Sequence, residues 1–258
     1  MIRFLSILII SAFFFGCKSD GKQDSSSKEP VSKNKYIITP FSKSASFANA
    51  KIEEMTYQDG SFDFKLSEGP YKLGLQTPDA PAKMCANSGK GQHIHLIVDN
   101  APYAAKYTST FDHDIEDGSH YLLAFLSRSY HESIKAPGAF TARKISVENK
   151  TIKSNESITT PMLFYSRPKG TYTGKDTKKV MLDFYTTNLN MGEGKYKVQA
   201  KINGETHLLD KWQPYYIEGL PMGDNTVELS LLDKEGKLAD VPLNPVSRTF
   251  KLVANPPE

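Results

Sequence analysis

What most constrains this chain is a hydrophobic alternation of period two in short runs, each closed by Gly, Pro, Asn or Asp, with almost no helical periodicity. Alternate side chains of an extended strand face opposite sides, so such runs read as half-buried strands. The spans 61–66, 71–76, 93–98, 121–127, 140–147, 180–186, 196–202, 226–232 and 247–253 carry the pattern. Asp59-Gly60, Asp117-Gly118 and Asn203-Gly204 supply hairpin turns. The runs also repeat. His93-Ile94-His95-Leu96-Ile97-Val98-Asp99-Asn100 matches Lys197-Val198-Gln199-Ala200-Lys201-Ile202-Asn203-Gly204, and 117–126 matches 222–231. The copies lie roughly a hundred positions apart, the size of one sandwich module. The expected fold is therefore all-β, with two tandem immunoglobulin-like β-sandwich domains over residues 45–148 and 158–258. The polar stretch 148–157 marks the boundary.

Composition excludes several classes. Lys+Arg number 32 against 29 Asp+Glu, a net charge of +3 with no dense basic block, which does not indicate a nucleic-acid partner. Charged residues at 24% and hydrophobic ones at 39% suit a folded soluble body, neither a disordered chain nor a multi-span membrane protein.

The N-terminus differs from the rest. Met1-Ile2-Arg3 is followed by an apolar run to Phe15, then Gly16-Cys17 and an abrupt change to Lys18-Ser19-Asp20. The run is short for a membrane span and fits a signal-peptide core. Ending in a small residue and cysteine, it resembles the bacterial lipoprotein signal, with Phe14 and Phe15 in place of the usual Leu and small residue. The resemblance implies cleavage of residues 1–16, lipidation of Cys17, and a membrane partner held through the lipid in the cell envelope. Acyl chains add ~0.8 kcal/mol per buried methylene, so such anchoring is close to permanent. Residues 17–44 then read as the lipidated cysteine and a flexible tether, because 18–35 holds no large apolar residue except Val31. With Cys17 lipidated, Cys85 has no second cysteine to pair with.

Histidine is unevenly placed. Five of the six lie between positions 93 and 131. The second copy has Lys197 and Gln199 opposite His93 and His95, and Asn225 opposite His120, so the fold itself does not demand imidazole there. On the strand 93–98, Ile94, Leu96 and Val98 should face the core, leaving His93, His95 and Ile97 on the other face. Two histidines about 6.5–7 Å apart along a strand can close on one ion. The further ligands come from Cys85, His131, His113, His120, Met84 and Asp112. Cysteine or methionine with histidine favours copper, and aspartate with histidine favours zinc. Set against this, paired histidines also serve as ordinary hydrogen-bonding positions.

Two loops carry polar groups suited to an anion: Lys90 in Gly89-Lys90-Gly91-Gln92-His93, and Ser127-Arg128-Ser129-Tyr130-His131-Glu132-Ser133. Together with their flanks, these stretches resemble a group of exported bacterial lipoproteins of unestablished function, some labelled phosphopeptide-binding. That label implies Lys90, His93, Ser127, Arg128 and Ser129 as phosphate donors. No Gly-x-Ser-x-Gly elbow occurs in the chain. The reading is thus a binding protein rather than an enzyme, taking a metal ion or an anionic ligand. The alternative is a structural or adaptor lipoprotein that contacts an envelope protein through Lys211-Trp212-Gln213-Pro214-Tyr215-Tyr216.

Overall fold

The structure, a computed structural model, describes residues 35–254. The signal sequence 1–16 and Cys17 lie outside the described residues. The strands of the first half are β1 (Ile37–Pro40), β2 (Ile52–Gln58), β3 (Ser61–Leu66), β4 (His93–Val98), β5 (Ala104–Lys106), β6 (Thr110–Asp112), β7 (Gly118–Ser127), β8 (Phe140–Glu148) and β9 (Thr151–Ser157). The second half adds β10 (Met162–Arg167), β11 (Gly170–Thr173), β12 (Val180–Thr187), β13 (Lys197–Ile202), β14 (Glu205–Leu209), β15 (Tyr215–Glu218), β16 (Gly223–Leu232) and β17 (Val246–Val253).

They form two β-sandwiches. In the first, the sheet β2-β3-β6 covers one face of β5-β4-β7-β8-β9; in the second, β1-β15-β12-β10 covers β11-β17-β16-β13-β14. The alternation explains both interiors. Phe62, Phe64, Ile94, Leu96, Leu122, Ala124 and Leu126 fill the first. Leu163, Leu182, Phe184, Val198, Ala200, Val227, Leu229 and Phe250 fill the second. The repeat extends to register. His93 stands opposite Ser127 on β7, and its counterpart Lys197 stands opposite Leu232 on β16.

Three segments differ from the sequence reading. Residues 37–40, within the expected tether, form β1, which pairs antiparallel with β15 of the second sandwich. The apolar pair Ile37-Ile38 gave too short a run to register. The expected boundary 148–157 is largely β9, the hairpin partner of β8. Its residues are polar because the strand is mostly exposed at a sheet edge. Residues 71–76, expected as a strand, are irregular; Gly74 and Leu75 bond the backbone of Gln92 instead.

The sandwiches also bury a face between them. Ile97, Leu123 and Phe125, on the outer face of the first sandwich's large sheet, pack with Met162, Phe164 and Tyr185 of the second. Strands β4 and β7 are therefore covered on both sides, and the His93/His95 face lies in this seam.

Candidate metal centre

Strand β4 presents Ile94 and Leu96 to the first core and turns His93 and His95 into the seam, where both are 0% exposed. The third imidazole comes from the turn after β7. Arg128 N–H bonds Glu132 O and His131 N–H bonds Arg128 O, each at 2.9 Å. This tight reversal puts His131 in the left-handed region, φ 69°, a conformation uncommon outside glycine. The consequence is that its ring lies against the other two.

His93 Nε2 lies 2.8 Å from His95 Nε2 and 3.0 Å from His131 Nδ1. One nitrogen from each ring lies within 4.8 Å of the others. At metal–nitrogen bonds of 2.0–2.1 Å, neighbouring ligands stand about 2.9 Å apart at right angles and about 3.3 Å apart at the tetrahedral angle. Two of the observed edges fall at the right-angle value, which is also the length of the hydrogen bonds that join His93 Nε2 to the other two rings.

The outer nitrogens are held as a metal site requires. His93 Nδ1 is 2.8 Å from the Gly91 carbonyl. A carbonyl only accepts, so Nδ1 carries the proton and Nε2 is left as a lone pair. His95 Nδ1 faces the Ser166 hydroxyl at 3.4 Å. Burial keeps all three rings neutral. The His93 pKa is pushed down to about 4, by desolvation first and then by the nearby Arg167 and Lys169, against the Gly91 bond. His95 and His131 are held well below the usual imidazole range by desolvation and by the neighbouring positive groups. Neutral imidazole is the ligating form.

Two aromatic rings frame the triad. Tyr103 stacks on His95, centroids 3.6 Å apart at 8°, and its hydroxyl is 3.3 Å from His131 Nδ1. The Tyr107 ring centroid is 4.8 Å from that of His93. Lys169 Nζ sits 3.9 Å over the Tyr103 ring and donates to the Tyr103 carbonyl at 2.6 Å.

Of the expected metal ligands, the structure thus gathers His93, His95 and His131. Cys85 does not join them: it packs with Ala80, Tyr130, Met181 and Tyr216, and burial pushes its thiol pKa up to about 12. Met84 is 62% exposed. His113 lies beside Phe62 in the first sandwich. Asp112 accepts Lys106 at its carbonyl. His120 bonds Asp99 at 2.6 Å, while Asp99 caps Tyr121 N–H. The second sandwich builds the same contact from Asn225, Asn203 and Thr226 N–H, so His120 locks a hairpin.

The expected anion donors do not converge. Arg128 gives its guanidinium to the Ala45 and Ser133 carbonyls and to Glu132. Ser127 donates to the Arg128 carbonyl. Ser129 exchanges two bonds with Thr77, Tyr130 donates to Asp79, and Lys90 is exposed. The loop uses these groups to hold its own shape and thereby His131. The Trp212–Tyr216 segment is mostly packed against the protein: Trp212, half-buried, donates to the Phe184 carbonyl and packs on Tyr185, and Tyr215 and Tyr216 are buried. Sequence reasoning missed Tyr103, Ser166, Arg167 and Lys169, which the seam brings in from other strands and loops.

No family model matches the chain, and no curated protein matches it. Among solved structures it is similar to fibronectin(III)-like modules of CbhA from Clostridium thermocellum, at 11% identity over 84% of this chain and 95% of that one, TM-score 0.29. It is also similar to the extracellular domain of a putative one-component system from B. thetaiotaomicron, at 15% identity over 81% of this chain and 26% of that one, TM-score 0.25. A third is SGBP-B of the Bacteroides ovatus mixed-linkage glucan utilization locus, at 9% identity over 86% and 71%, TM-score 0.20. Likeness at this level carries no functional argument. Among the described residues, no helix is long and apolar enough to cross a membrane.

Proposed function

We propose that this is a lipid-anchored protein of the bacterial cell envelope that binds one transition-metal ion in the seam between its two sandwiches, through His93, His95 and His131. The observation that carries the reading is the convergence of three neutral imidazoles, two buried and one half-buried, two edges of which measure 2.8 and 3.0 Å. Copper and zinc both accept imidazole. The role is binding rather than turnover. The anchor rests on the sequence up to Cys17.

The test is metal content of the full chain purified in detergent. One bound ion per chain, lost in His93→Ala/His95→Ala and kept in Cys85→Ser, supports the reading. A protein that takes up no stoichiometric copper or zinc refutes it. The anchor is tested apart from this, by palmitate labelling that disappears in Cys17→Ser.

A further inference from the structure

The contact between the sandwiches also holds positive charge that no carboxylate balances. Arg167 on β10, Lys169 in the turn between β10 and β11, and Arg248 on β17 gather around the rings of Tyr103, Tyr165 and Tyr172. The Arg248 guanidinium carbon lies 4.4 Å from the Tyr165 ring centroid, and that of Arg167 lies 5.8 and 5.5 Å from those of Tyr103 and Tyr172. Lys169 Nζ is 3.9 Å from the Tyr103 centroid. Arg167 is 6% exposed and Arg248 8%. Among the described residues, none of the three cations pairs with an Asp or Glu. Asp183 stands opposite Arg167 on β12, but its carboxylate is taken up by Lys135 and Ser133. Phenol faces offset part of the cost of burying cations, yet they supply no net charge against three of them.

The hydrogen bonds point the same way. Arg248 Nη2 donates to the Asn100 and Ala101 carbonyls at 2.6 and 2.7 Å, Arg167 Nη1 to Tyr172 Oη at 2.7 Å, and Lys169 Nζ to the Tyr103 carbonyl at 2.6 Å. Three buried atoms of the cluster are left without a partner among the described residues: Arg167 Nε, Arg248 Nη1 and the hydroxyl of Tyr165, a residue 0% exposed. An arginine N–H only donates, and a phenol can donate too. All three orphans therefore suit a ligand that only accepts. A water fits less well, because its own two protons need acceptors and the phenol oxygen is the one orphaned acceptor in the cluster. The mutual repulsion shows in Lys169, whose pKa is pushed down to about 8 by burial first and then by Arg167 and Arg248.

We infer that this cluster binds one small inorganic anion of the chloride class, held by Arg167 Nε, Arg248 Nη1 and the Tyr165 hydroxyl, and that the anion helps to hold the two sandwiches together. The ligand is small because all three donors are closed off from solvent. Its role follows from its place. Arg248 reaches from the second sandwich to the Asn100 and Ala101 carbonyls of the first, and Lys169 reaches to the Tyr103 carbonyl. The charge that the anion neutralises thus sits on the contacts that join the two. The inference does not depend on the metal reading of the triad.

The experiment is denaturant unfolding of the full chain in detergent with a chelator present, sodium chloride replacing sodium gluconate at constant ionic strength. The folding equilibrium should shift about tenfold for each tenfold rise in chloride above its dissociation constant. Tyr165→Phe keeps the ring under Arg248 and removes a hydroxyl that has no partner in the protein. A purely structural role for Tyr165 therefore leaves the chloride response of that variant unchanged. The anion site instead predicts a response that moves to at least about tenfold higher chloride, the weight of one hydrogen bond to a charged group. Crystals of the unchanged chain in bromide should show an anomalous peak in contact with both arginines and Tyr165. No chloride dependence, an unchanged response in folded Tyr165→Phe, or bromide peaks confined to the surface would each overturn the inference. The bromide map is read on the unchanged chain, so the outcome does not depend on the variant folding, and the chelator keeps it separate from the fate of the triad.

Discussion

Acidification of the metal-free protein should destabilise it in a defined window, and the triad sets that window. His93 is pushed from 6.5 down to about 4 by its burial, and one pKa unit is worth about 1.4 kcal/mol, so this residue alone amounts to roughly 3 kcal/mol. The sign follows from proton linkage. Between the two values the unfolded chain carries the proton and the folded chain does not, so unfolding gains from every added proton. The stability is intact above pH 6.5 and is lost as pH falls toward 4. His95 and His131 shift the same way and steepen the loss. Against a total stability of about 5–15 kcal/mol, the effect is large. The assay is urea unfolding with a chelator present, at pH steps from 7.5 to 4.5, on the unchanged chain and on His93→Gln/His95→Gln. The unchanged chain should lose stability steeply below pH 6.5, and the variant much less. Equal slopes in the two proteins, or a flat profile above pH 5, would refute the burial of neutral imidazoles in the seam.

Three further outcomes follow from the contacts that hold the site. Asp183, 0% exposed, accepts Lys135 Nζ at 2.7 Å and Ser133 N–H at 2.9 Å across the seam. Lys135→Met strands that carboxylate and should cost about 3–5 kcal/mol in denaturant unfolding; a loss under 1 kcal/mol would mean the pair is solvated. Gly91 has φ +86°, and a Cβ there would lie 2.5 Å from the Gly74 carbonyl oxygen. Gly91→Ala should therefore cost more than about 1 kcal/mol and weaken metal uptake, because the Gly91 carbonyl orients His93; unchanged calorimetric affinity would contradict this. Leu96→Ala opens a cavity in the first core and should cost about 2–5 kcal/mol without changing metal stoichiometry. Parallel loss of metal in the folded variant would show that the two faces of β4 are not independent.

The fold was legible wherever one face of a strand meets a core. The alternation in β13 and in the first half of β16 marks those strands and their facing, and the repeat carries over to the register of His93 and Lys197. It failed where burial does not alternate. Strand β10 is buried at every position, so Met162–Arg167 shows no period of two. Strand β9 is exposed at an edge and reads as a linker. At the site, the comparison between copies singled out His93 and His95 because the second sandwich builds the same strand without imidazole. His131 is separated from them by a loop whose closure depends on Arg128, Ser129 and Tyr130 finding backbone and side-chain partners far away in sequence. Those same residues read as free donors in a sequence, which shows polarity but not what a group is bonded to. Tyr103 and Arg167 were hidden for a related reason. They meet only because two modules pack face to face, and periodicity within one module does not encode that contact.

The central claim is that three imidazoles hold one ion between the sandwiches, and X-ray absorption on the metal-loaded full chain measures it most directly. The expected spectrum shows nitrogen or oxygen neighbours at about 2.0–2.1 Å with the outer-ring scattering of three imidazoles. A sulfur neighbour at about 2.3 Å would place the ion at Cys85 instead. A shell of oxygen without imidazole scattering would mean that the ion sits on the surface and that the triad does not bind it.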